Sequence, residues 1–339
     1  MDGTRRILGL TMGEPAGIAP DITIAAWNRL TGSGQAFVLI GDPDLICDRA
    51  RRIGVDCPVE VIDTAAQAPQ VFAKALPVLT QSLSVKTDCG RPDPANADAV
   101  LASIKQAVDL TIAGELSGIV TNPIHKSALY GAGFSFHGHT DYLADLARGH
   151  GFTADPVMML ASGNLRTVPL TIHIALKDVP AALTHDVIVD QTRIVARDLV
   201  NLFGICEPRI GMTGLNPHAG EDGTMGVEER DVIIPAITAL AGEGIPVNGP
   251  LPADTVFHDE ARAAYDVIIC MYHDQALIPV KTIGFHDGVN TTLGLPFVRT
   301  SPDHGTALSL AGTGQANPSS LIAAIQLAGE MAAHREAAG

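Results

Sequence analysis

Short apolar runs alternate along the first half of the chain with segments in which apolar residues recur at helical spacing. The short runs are typical of buried strands and cover residues 6–11, 36–40, 59–62 and 118–121. The intervening segments predict helices at about residues 21–30, 43–53 and 96–113. Strands that alternate with helices in this way predict an α/β fold with a parallel sheet. Residues 65–94 are polar and punctuated by proline, and their pattern predicts no element.

Beyond residue 155 the same signals continue with more β-structure. Strands are predicted at residues 157–160, 166–174, 209–214 and 267–269, and helices at about 178–183, 187–202 and 228–240. Short β segments punctuate the run GVNTTLGLPFVRT, and an Ala-rich amphipathic helix covers about residues 319–335.

Three histidines follow strand-like runs. His173 follows VPLTI, His218 follows RIGMTGLN through the turn pair Asn216-Pro217, and His273 follows the buried run that includes Val267–Ile269. Ligands of open α/β sheets bind where strands end. Separations of 45 and 55 positions exclude a local zinc finger but suit a catalytic metal with three protein ligands and an open position. Spacing alone leaves open that each histidine is structural.

Polar side chains also cluster after the strand predicted at 118–121. Lys126, His137, His139 and Thr140 lie within fifteen positions and could form a polar pocket. The alternative is a solvated loop whose Thr140 caps a helix.

Lys281, Asn290 and Arg299 punctuate an apolar region. Cations in such surroundings indicate capture of an anionic substrate, for which Arg offers bidentate contacts and Lys a point charge.

Acidic residues surround the predicted site. Glu221 and Asp222 follow His218, and either metal support or a solvated loop explains them. For Glu228 and Glu229 we favour the first turn of a helix, since acids suit a helix N-terminus. Asp254 either lies close to a ligand or supports a turn. The Gly- and Pro-rich loop MGEPAGIAPDI follows the first strand and could present backbone amides to an anion or cofactor, although it is not the GxGxxG pattern.

Composition narrows the class of protein. The 339 residues suffice for two domains or one large α/β unit, and 46% hydrophobic with 17% charged residues excludes a disordered chain. The net charge of −15 argues against nucleic acid or an anionic membrane as a partner. Five scattered cysteines without a CxxC pair indicate buried thiols in a reducing compartment. No secretion signal or membrane-spanning run is recognisable, so we expect a cytoplasmic protein.

Five blocks, in chain order, resemble the signature segments of the 4-hydroxythreonine-4-phosphate dehydrogenase family of vitamin B6 biosynthesis. They are LTMGEPAGIAPDI, GHTDYLA, GLNPHAG, MYHDQALIPVK and GVNTTLGLPFVRTSPDHGTALSLAGTG. More distantly, the first and last blocks are similar to segments of isocitrate and isopropylmalate dehydrogenases. The resemblance implies a two-domain α/β/α fold of that type, with the active site in the interdomain cleft. We expect a larger α/β domain at residues 1–135 and 285–339, and a central domain with the dimer interface at 136–284.

The resemblance also implies a reaction. Family members use NAD or NADP and one divalent metal (zinc, cobalt or magnesium) to oxidise 4-phosphohydroxy-L-threonine to a β-keto acid, which decarboxylates to 3-amino-2-oxopropyl phosphate. They are homodimers whose active sites contain residues of both subunits.

The family roles fall on residues of this chain position by position. The implied metal ligands are His173, His218 and His273, and the implied substrate contacts are His139, Thr140, Lys281, Asn290 and Arg299. His139, Asp254 and Lys281 are the candidates for the proton acceptor. The implied cofactor segment comprises His304, Gly305, Thr306, Ala307, Gly312 and Gly314.

Some positions depart from the family pattern and leave alternatives open. Glu14 and Ala19 replace residues common in the first block, and HDGVN lacks the Arg that many members have before the glycine. Enzymes with this scaffold also oxidise threonate or erythronate 4-phosphate and aromatic cis-dihydrodiols. Two further alternatives are a metal-dependent hydrolase or lyase without nicotinamide, and a non-catalytic protein that binds a phosphorylated metabolite.

Overall fold

The structure is a computed structural model that describes residues 6–33, 35–136 and 138–338. Its contacts divide the chain into two units: one extends to Pro156 and resumes at Leu295–Ala337, and the other comprises Val157–Gly294. These bounds differ from the expected 1–135 and 285–339. Residues 138–156 belong to the first unit because Leu143, Ala144 and Ala147 pack into that unit's core.

The first unit begins with alternating strands and helices. Its strands up to Pro156 are β1 (Ile7–Thr11), β2 (Ala36–Gly41), β3 (Val59–Val61), β4 (Leu76–Thr80) and β5 (Gly118–Val120). Its helices are α1 (Ala19–Leu30), α2 (Pro43–Ile53), α3 (Ala68–Val71), α4 (Ala97–Ile112), α5 (Lys126–Gly131) and α6 (His139–Gly149).

The second unit begins and ends with strands, and its other strands alternate with helices. The strands are β6 (Val157–Ser162), β7 (Leu165–Pro169), β8 (Ile210–Thr213), β9 (Val247–Leu251), β10 (Val267–Cys270) and β11 (Val289–Leu293). The helices are α7 (Val179–Ala182), α8 (His185–Phe203), α9 (Ile234–Gly242), α10 (Asp259–Arg262) and α11 (His273–Ile283). The chain then returns to the first unit with β12 (Arg299–Pro302) and α12 (Ser319–Ala338).

Local sequence signals define several of these boundaries. At the start of α2 the Asp42 side chain accepts a hydrogen bond from Leu45 N, Pro43 occupies the first turn, and Gly54 ends the helix in the left-handed region. Thr184 caps α8 in the same way. Strand β7 ends at Pro169, short of the predicted residue 174, so His173 lies in the loop that follows. The unassigned segment 65–94 contains α3 and β4.

The strand pairings confirm the predicted α/β fold class. In the first unit the order is β3-β4-β2-β1-β5-β12, and every pair is parallel. In the second unit the order is β11-β6-β7-β10-β8-β9, in which β11-β6 and β6-β7 are antiparallel and the other pairs are parallel. Central strands such as β2 and β10 are buried along their whole length, as expected for parallel strands.

Two further expectations concern cysteines and membranes. All five thiols are free: Cys57 and Cys270 are buried, Cys47 and Cys89 are partly buried, and Cys206 is exposed in the loop after α8. The prediction of buried thiols is therefore confirmed for Cys57 and Cys270 and was wrong for Cys206. No helix in the described part of the chain is both long and apolar enough to cross a membrane.

A buried ion pair holds the loop after β1. The side chains of Arg49 on α2 and Asp21 on α1 are only 2% and 3% exposed and contact each other directly. The Arg49 guanidinium also donates to Gly17 O at 2.8 Å and to Pro15 O at 2.9 Å, while Asp21 Oδ1 accepts from Gly312 N at 2.9 Å. This pair therefore connects two glycine-containing loops of the first unit.

We expect Arg49→Ala to destabilise the protein by about 3–5 kcal/mol, because it leaves the Asp21 carboxylate buried without its cation. Arg51→Ala on the same helix is the matched control. Arg51 pairs with Asp48 but is 75% exposed, so its loss should cost about 0–1 kcal/mol. Urea unfolding followed by circular dichroism measures both changes. Equal, small losses would show that the buried pair does not support the fold.

Candidate functional site

The three candidate metal ligands follow three neighbouring strands. Strand β10 lies between β7 and β8 and is parallel to both. Parallel strands have their carboxyl ends at the same edge of the sheet, and this is the edge where open α/β sheets bind ligands. His173, His218 and His273 follow β7, β8 and β10, respectively. The fold therefore carries all three imidazoles in loops or a helix start at one edge.

Two of these histidines are neighbours. The ring centroids of His173 and His273 lie 5.8 Å apart, beside a cavity of about 250 Å³ that Thr171, Tyr272 and Asp274 also line. His273 is the first residue of α11, and its Nδ1 lies 2.7 Å from Asp274 Oδ1. A carboxylate on Nδ1 fixes the ring orientation and leaves Nε2 for a ligand.

His218 is exposed in a loop with unusual backbone geometry. From His218 to Asp222 every residue has a positive φ, between 41° and 80°. Among residues 6–33, 35–136 and 138–338, no three His, Cys, Asp or Glu side chains form a group that could hold a metal ion. The described chain thus brings two of the three predicted ligands together.

Left-handed backbone coincides with the predicted sites. Within the described part of the chain, the non-glycine residues with positive φ are His173, His218, Ala219, Glu221, Asp222 and Ala307. Each lies in a segment predicted to bind the metal or the cofactor. Such conformations cost free energy and persist where the surrounding structure enforces them, often at functional sites. Imidazole donors suit a divalent metal, and two of the three predicted ligands, His173 and His273, meet at the edge of the second unit's sheet.

Glu229 lies in the first turn of a helical segment, as predicted, but its carboxylate is not solvated. It is 4% exposed and accepts hydrogen bonds from the loop that carries His218. It begins a π-helical turn, Glu229–Ile233, ahead of α9. The sequence signal was an acid shortly after a glycine-rich loop, which equally suits a helix N-terminus. Glu228 is partly buried and binds Asn216.

A second polar cluster lies in the first unit. Arg299, the first residue of β12, is 3% exposed, and its Nη2 donates to Thr121 Oγ1 at 2.7 Å. Burial lowers the pKa of Arg299 to about 10, so the guanidinium stays charged at neutral pH.

His139 belongs to the same cluster. Burial, with the Arg299 guanidinium and the Lys126 ammonium nearby, holds the pKa of His139 well below its ordinary value. Its Nε2 is inaccessible to solvent and has no hydrogen-bond partner. Helix α6 begins at His139 after Gly138, so Thr140 is not its cap. His137 lies outside the described residues. The cluster offers an uncharged imidazole beside two cations, which suits an anionic ligand.

The predicted cofactor segment contacts the loop after β1. Ile18 N donates to Thr306 O at 3.0 Å, and a Cβ at Gly17 would lie 2.8 Å from the same oxygen.

His304 Nε2 is buried without a partner. Gly305 and Ala307 are exposed, and Gly312 binds Asp21. Gly314 lies near Ile53 at the end of α2. The two loops thus form a backbone-lined surface with an unused nitrogen, which fits a dinucleotide.

The remaining candidates lie in the second unit. Lys281 is on α11 and Asn290 on β11, and both are partly buried. Asp254 is exposed and lines a separate cavity of about 870 Å³ with His258, Asp274 and Ile278. Asp254 and His173 therefore line different cavities, although Asp274 borders both of them.

Two solved dehydrogenase structures share this architecture. The chain superimposes on 4-hydroxythreonine-4-phosphate dehydrogenase from Klebsiella pneumoniae with a TM-score of 0.86 and 35% identity, over 96% of this chain and 99% of that one. It also matches a terephthalate 1,2-cis-dihydrodiol dehydrogenase from Burkholderia xenovorans, with a TM-score of 0.65 and 28% identity, over 96% and 98% of the two chains. Both have the α/β class described above.

Sequence comparison gives the family. The model of the pyridoxal phosphate biosynthetic protein PdxA family matches residues 33–328. A 4-hydroxythreonine-4-phosphate dehydrogenase from Bradyrhizobium diazoefficiens is 53% identical over 334 residues, which cover 96% of this chain and 97% of that protein. The chain belongs to the PdxA family, and this confirms the resemblance inferred from the five sequence blocks.

The low pKa of His139 predicts a pH-dependent stability. Unfolded His protonates near pH 6.5, whereas folded His139 stays neutral to lower pH. Below pH 6.5 the unfolded state therefore binds more protons, and stability falls as pH falls, by at most about 1.4 kcal/mol per pH unit from this group.

Urea unfolding between pH 7.5 and pH 5 measures this dependence. The stability difference between wild type and His139→Gln should shrink, or change sign, as the pH decreases. His334→Gln, at an exposed position of α12, is the control and should leave the dependence unchanged. Identical pH dependences for wild type and His139→Gln would contradict a depressed pKa.

Proposed function

We propose that this protein oxidises 4-phosphohydroxy-L-threonine with NAD or NADP and a divalent metal. The product is a β-keto acid that decarboxylates to 3-amino-2-oxopropyl phosphate in pyridoxal phosphate biosynthesis. The observation that carries the proposal is the placement of three histidines after three adjacent parallel strands, in a chain of the PdxA family. The names of the Bradyrhizobium and Klebsiella relatives support the substrate.

His173, His218 and His273 would hold one divalent cation, zinc, cobalt or magnesium. When bound, it would lower the pKa of the substrate's hydroxyl group and polarise the carbonyl that oxidation produces. The protein itself would orient the three imidazoles. Asp274 does so at His273 Nδ1, and enforced left-handed backbone does so at His173 and His218.

We propose that the metal site is shared between the subunits of a homodimer. This arrangement requires only some of the histidines to meet within one chain, as His173 and His273 do. Exposed apolar side chains in the second unit support the dimer. Leu176, which lines the cavity beside His173, is 66% exposed, Ile278 on α11 is 62% exposed and Phe285 is 73% exposed. Exposed apolar side chains of this size favour a protein partner.

A guanidinium and an ammonium group would bind the anionic ends of the substrate. Arg299 suits bidentate contacts with phosphate or carboxylate, and Lys281 supplies a point charge. Thr140 and Asn290 would complete the orientation of the substrate. His139 is uncharged at neutral pH, so its Nε2 can accept a hydrogen bond from a substrate hydroxyl. The same low pKa makes it a weak proton acceptor, and Lys281 and Asp254 remain candidates for that role.

NAD or NADP would bind along the loop after β1 and the segment His304–Ala307, with Gly312 and Gly314 beyond it, and would accept the hydride. Glycine at position 17 lets the backbone approach Thr306 closely. Arg49 donates a hydrogen bond to Gly17 O and so fixes the same loop. A preformed backbone surface loses little entropy when a dinucleotide binds.

A second candidate function is oxidation of a cis-dihydrodiol or a four-carbon phosphosugar acid. The likeness to the Burkholderia xenovorans dihydrodiol dehydrogenase supports the first. Asp287, which accepts a hydrogen bond from Ser162 at 2.9 Å, stands where many family members have Arg and favours the dihydrodiol, the candidate that has no phosphate. An acid there would repel a substrate's anionic end.

Initial rates of NADH or NADPH formation test these functions. Metal-reconstituted protein is supplied with 4-phosphohydroxy-L-threonine, D-threonate 4-phosphate or a terephthalate cis-dihydrodiol, each with and without a chelator. We expect chelator-sensitive turnover with preference for the amino substrate, and its loss in His218→Ala. Preference for another substrate would select that function, and no reduction with any of them would contradict a dehydrogenase.

Arg299→Ala should raise KM for the phosphorylated substrate roughly 10- to 100-fold, because it removes charged hydrogen bonds to an anion. For 4-hydroxy-L-threonine, which lacks the phosphate, the change should be much smaller. Thr121→Val keeps the guanidinium but removes its hydroxyl acceptor, and should have an intermediate effect. Steady-state kinetics with both substrates measures the difference. Equal KM changes for the two substrates would remove Arg299 from phosphate binding.

A further inference from the structure

The Glu229 carboxylate binds the loop that leads to His218. Its Oε1 accepts hydrogen bonds from Leu215 N and Asn216 N, each at 2.7 Å, and its Oε2 accepts from Asn216 Nδ2 at 2.9 Å. Asn216 Nδ2 also donates to Glu228 Oε2 at 2.7 Å. Three N–H groups converge on a side chain that is 4% exposed, so these are charge-assisted bonds shielded from water.

Two glycines leave the space that this carboxylate fills. A Cβ at Gly214 would lie 2.9 Å from Glu229 Oε1, and a Cβ at Gly220 would lie 2.6 Å from Oε2. Real Cβ atoms do not approach an oxygen this closely without displacing it. The carboxylate therefore contacts the loop on both sides of His218, at residues 214–216 and at residue 220.

The loop needs such support. His218, Ala219, Glu221 and Asp222 are left-handed, a conformation that residues with a Cβ disfavour. The loop's own hydrogen bonds include Ala219 N to Asn216 O and Met225 N to Gly220 O. Asn216 and Gly220, whose carbonyls accept those bonds, both contact Glu229. Without the carboxylate, the backbone N–H groups of Leu215 and Asn216 would lose their acceptor.

We propose that Glu229 is the positioning residue for His218. It fixes the backbone on both sides of the imidazole, so that His218 is held ready to ligate a metal. This inference rests on the proposed metal role of His218. It assigns Glu229 no contact with metal or substrate, and it explains why an acidic residue is buried where the sequence pattern predicts an exposed helix start.

The test measures binding of Co²⁺ alone to the full-length chain by isothermal titration calorimetry. Glu229→Gln keeps the shape of the side chain but places an amide N–H toward a donor. Loss of a group that orients a metal ligand typically weakens metal affinity roughly 10- to 100-fold, and we expect a decrease of this size. Glu221→Gln is the control, because it removes the same charge from an exposed position of the same loop.

A second variant covers the case in which Glu229→Gln fails to fold. Gly220→Ala retains the carboxylate but displaces it with a methyl group, and should weaken Co²⁺ binding in the same direction. Thermal unfolding of each apo variant identifies those that remain folded at the titration temperature.

The outcomes separate this inference from the proposed function. Wild-type affinity in folded Glu229→Gln and Gly220→Ala, while His218→Ala binds weakly, would overturn the role of Glu229 and leave the metal site intact. Equal weakening of Co²⁺ binding by Glu221→Gln and Glu229→Gln would show that loss of a negative charge alone explains the change in affinity. This result would also overturn the positioning role of Glu229. Absence of Co²⁺ binding by wild type would overturn the metal site and this inference with it.

Discussion

Loops that follow parallel strands contain backbone N–H groups that no neighbouring strand can satisfy, and a buried carboxylate is one solution to this constraint. The chain uses it in each unit. Asp21 accepts from Gly312 N in the first unit, and Glu229 accepts from Leu215 N and Asn216 N in the second. Each acid also has a second partner, the Arg49 guanidinium or the Asn216 amide, which offsets the cost of burying its charge. Both predicted ligand-binding edges are therefore held by acids that face away from solvent.

Much of the fold could be predicted from the sequence because its elements carry local signals. The apolar runs at β2 and β10 and the caps of α2 are properties of neighbouring residues, so periodicity and turn chemistry identify them. The segment 65–94 could not be assigned, since α3 and β4 are only four and five residues long. Too few positions repeat there for any period to be visible.

The candidate site likewise contains residues that a local sequence pattern identifies and residues whose burial depends on distant contacts. His173, His218 and His273 were recognisable because each follows a strand, and parallel pairing then places them at one edge. The burial of Glu229 could not be predicted because its partners lie 13 and 14 residues away and depend on how the loop folds back. The burial of Arg299 likewise depends on Thr121, 178 residues away. Tertiary contacts of this kind leave no local pattern.

The pairing of β12 with β5 has a consequence for how the protein is made. The first unit is discontinuous, and its sheet includes a strand that begins at Arg299, whereas the second unit is the unbroken segment Val157–Gly294. During synthesis the whole second unit is translated before the first unit's last strand. The edge of β5 that β12 covers therefore lacks its strand throughout that interval, and unpaired edges are sites of misassembly. The first unit is therefore completed, and the contact between Ile18 and Thr306 forms, only late in the synthesis of each chain.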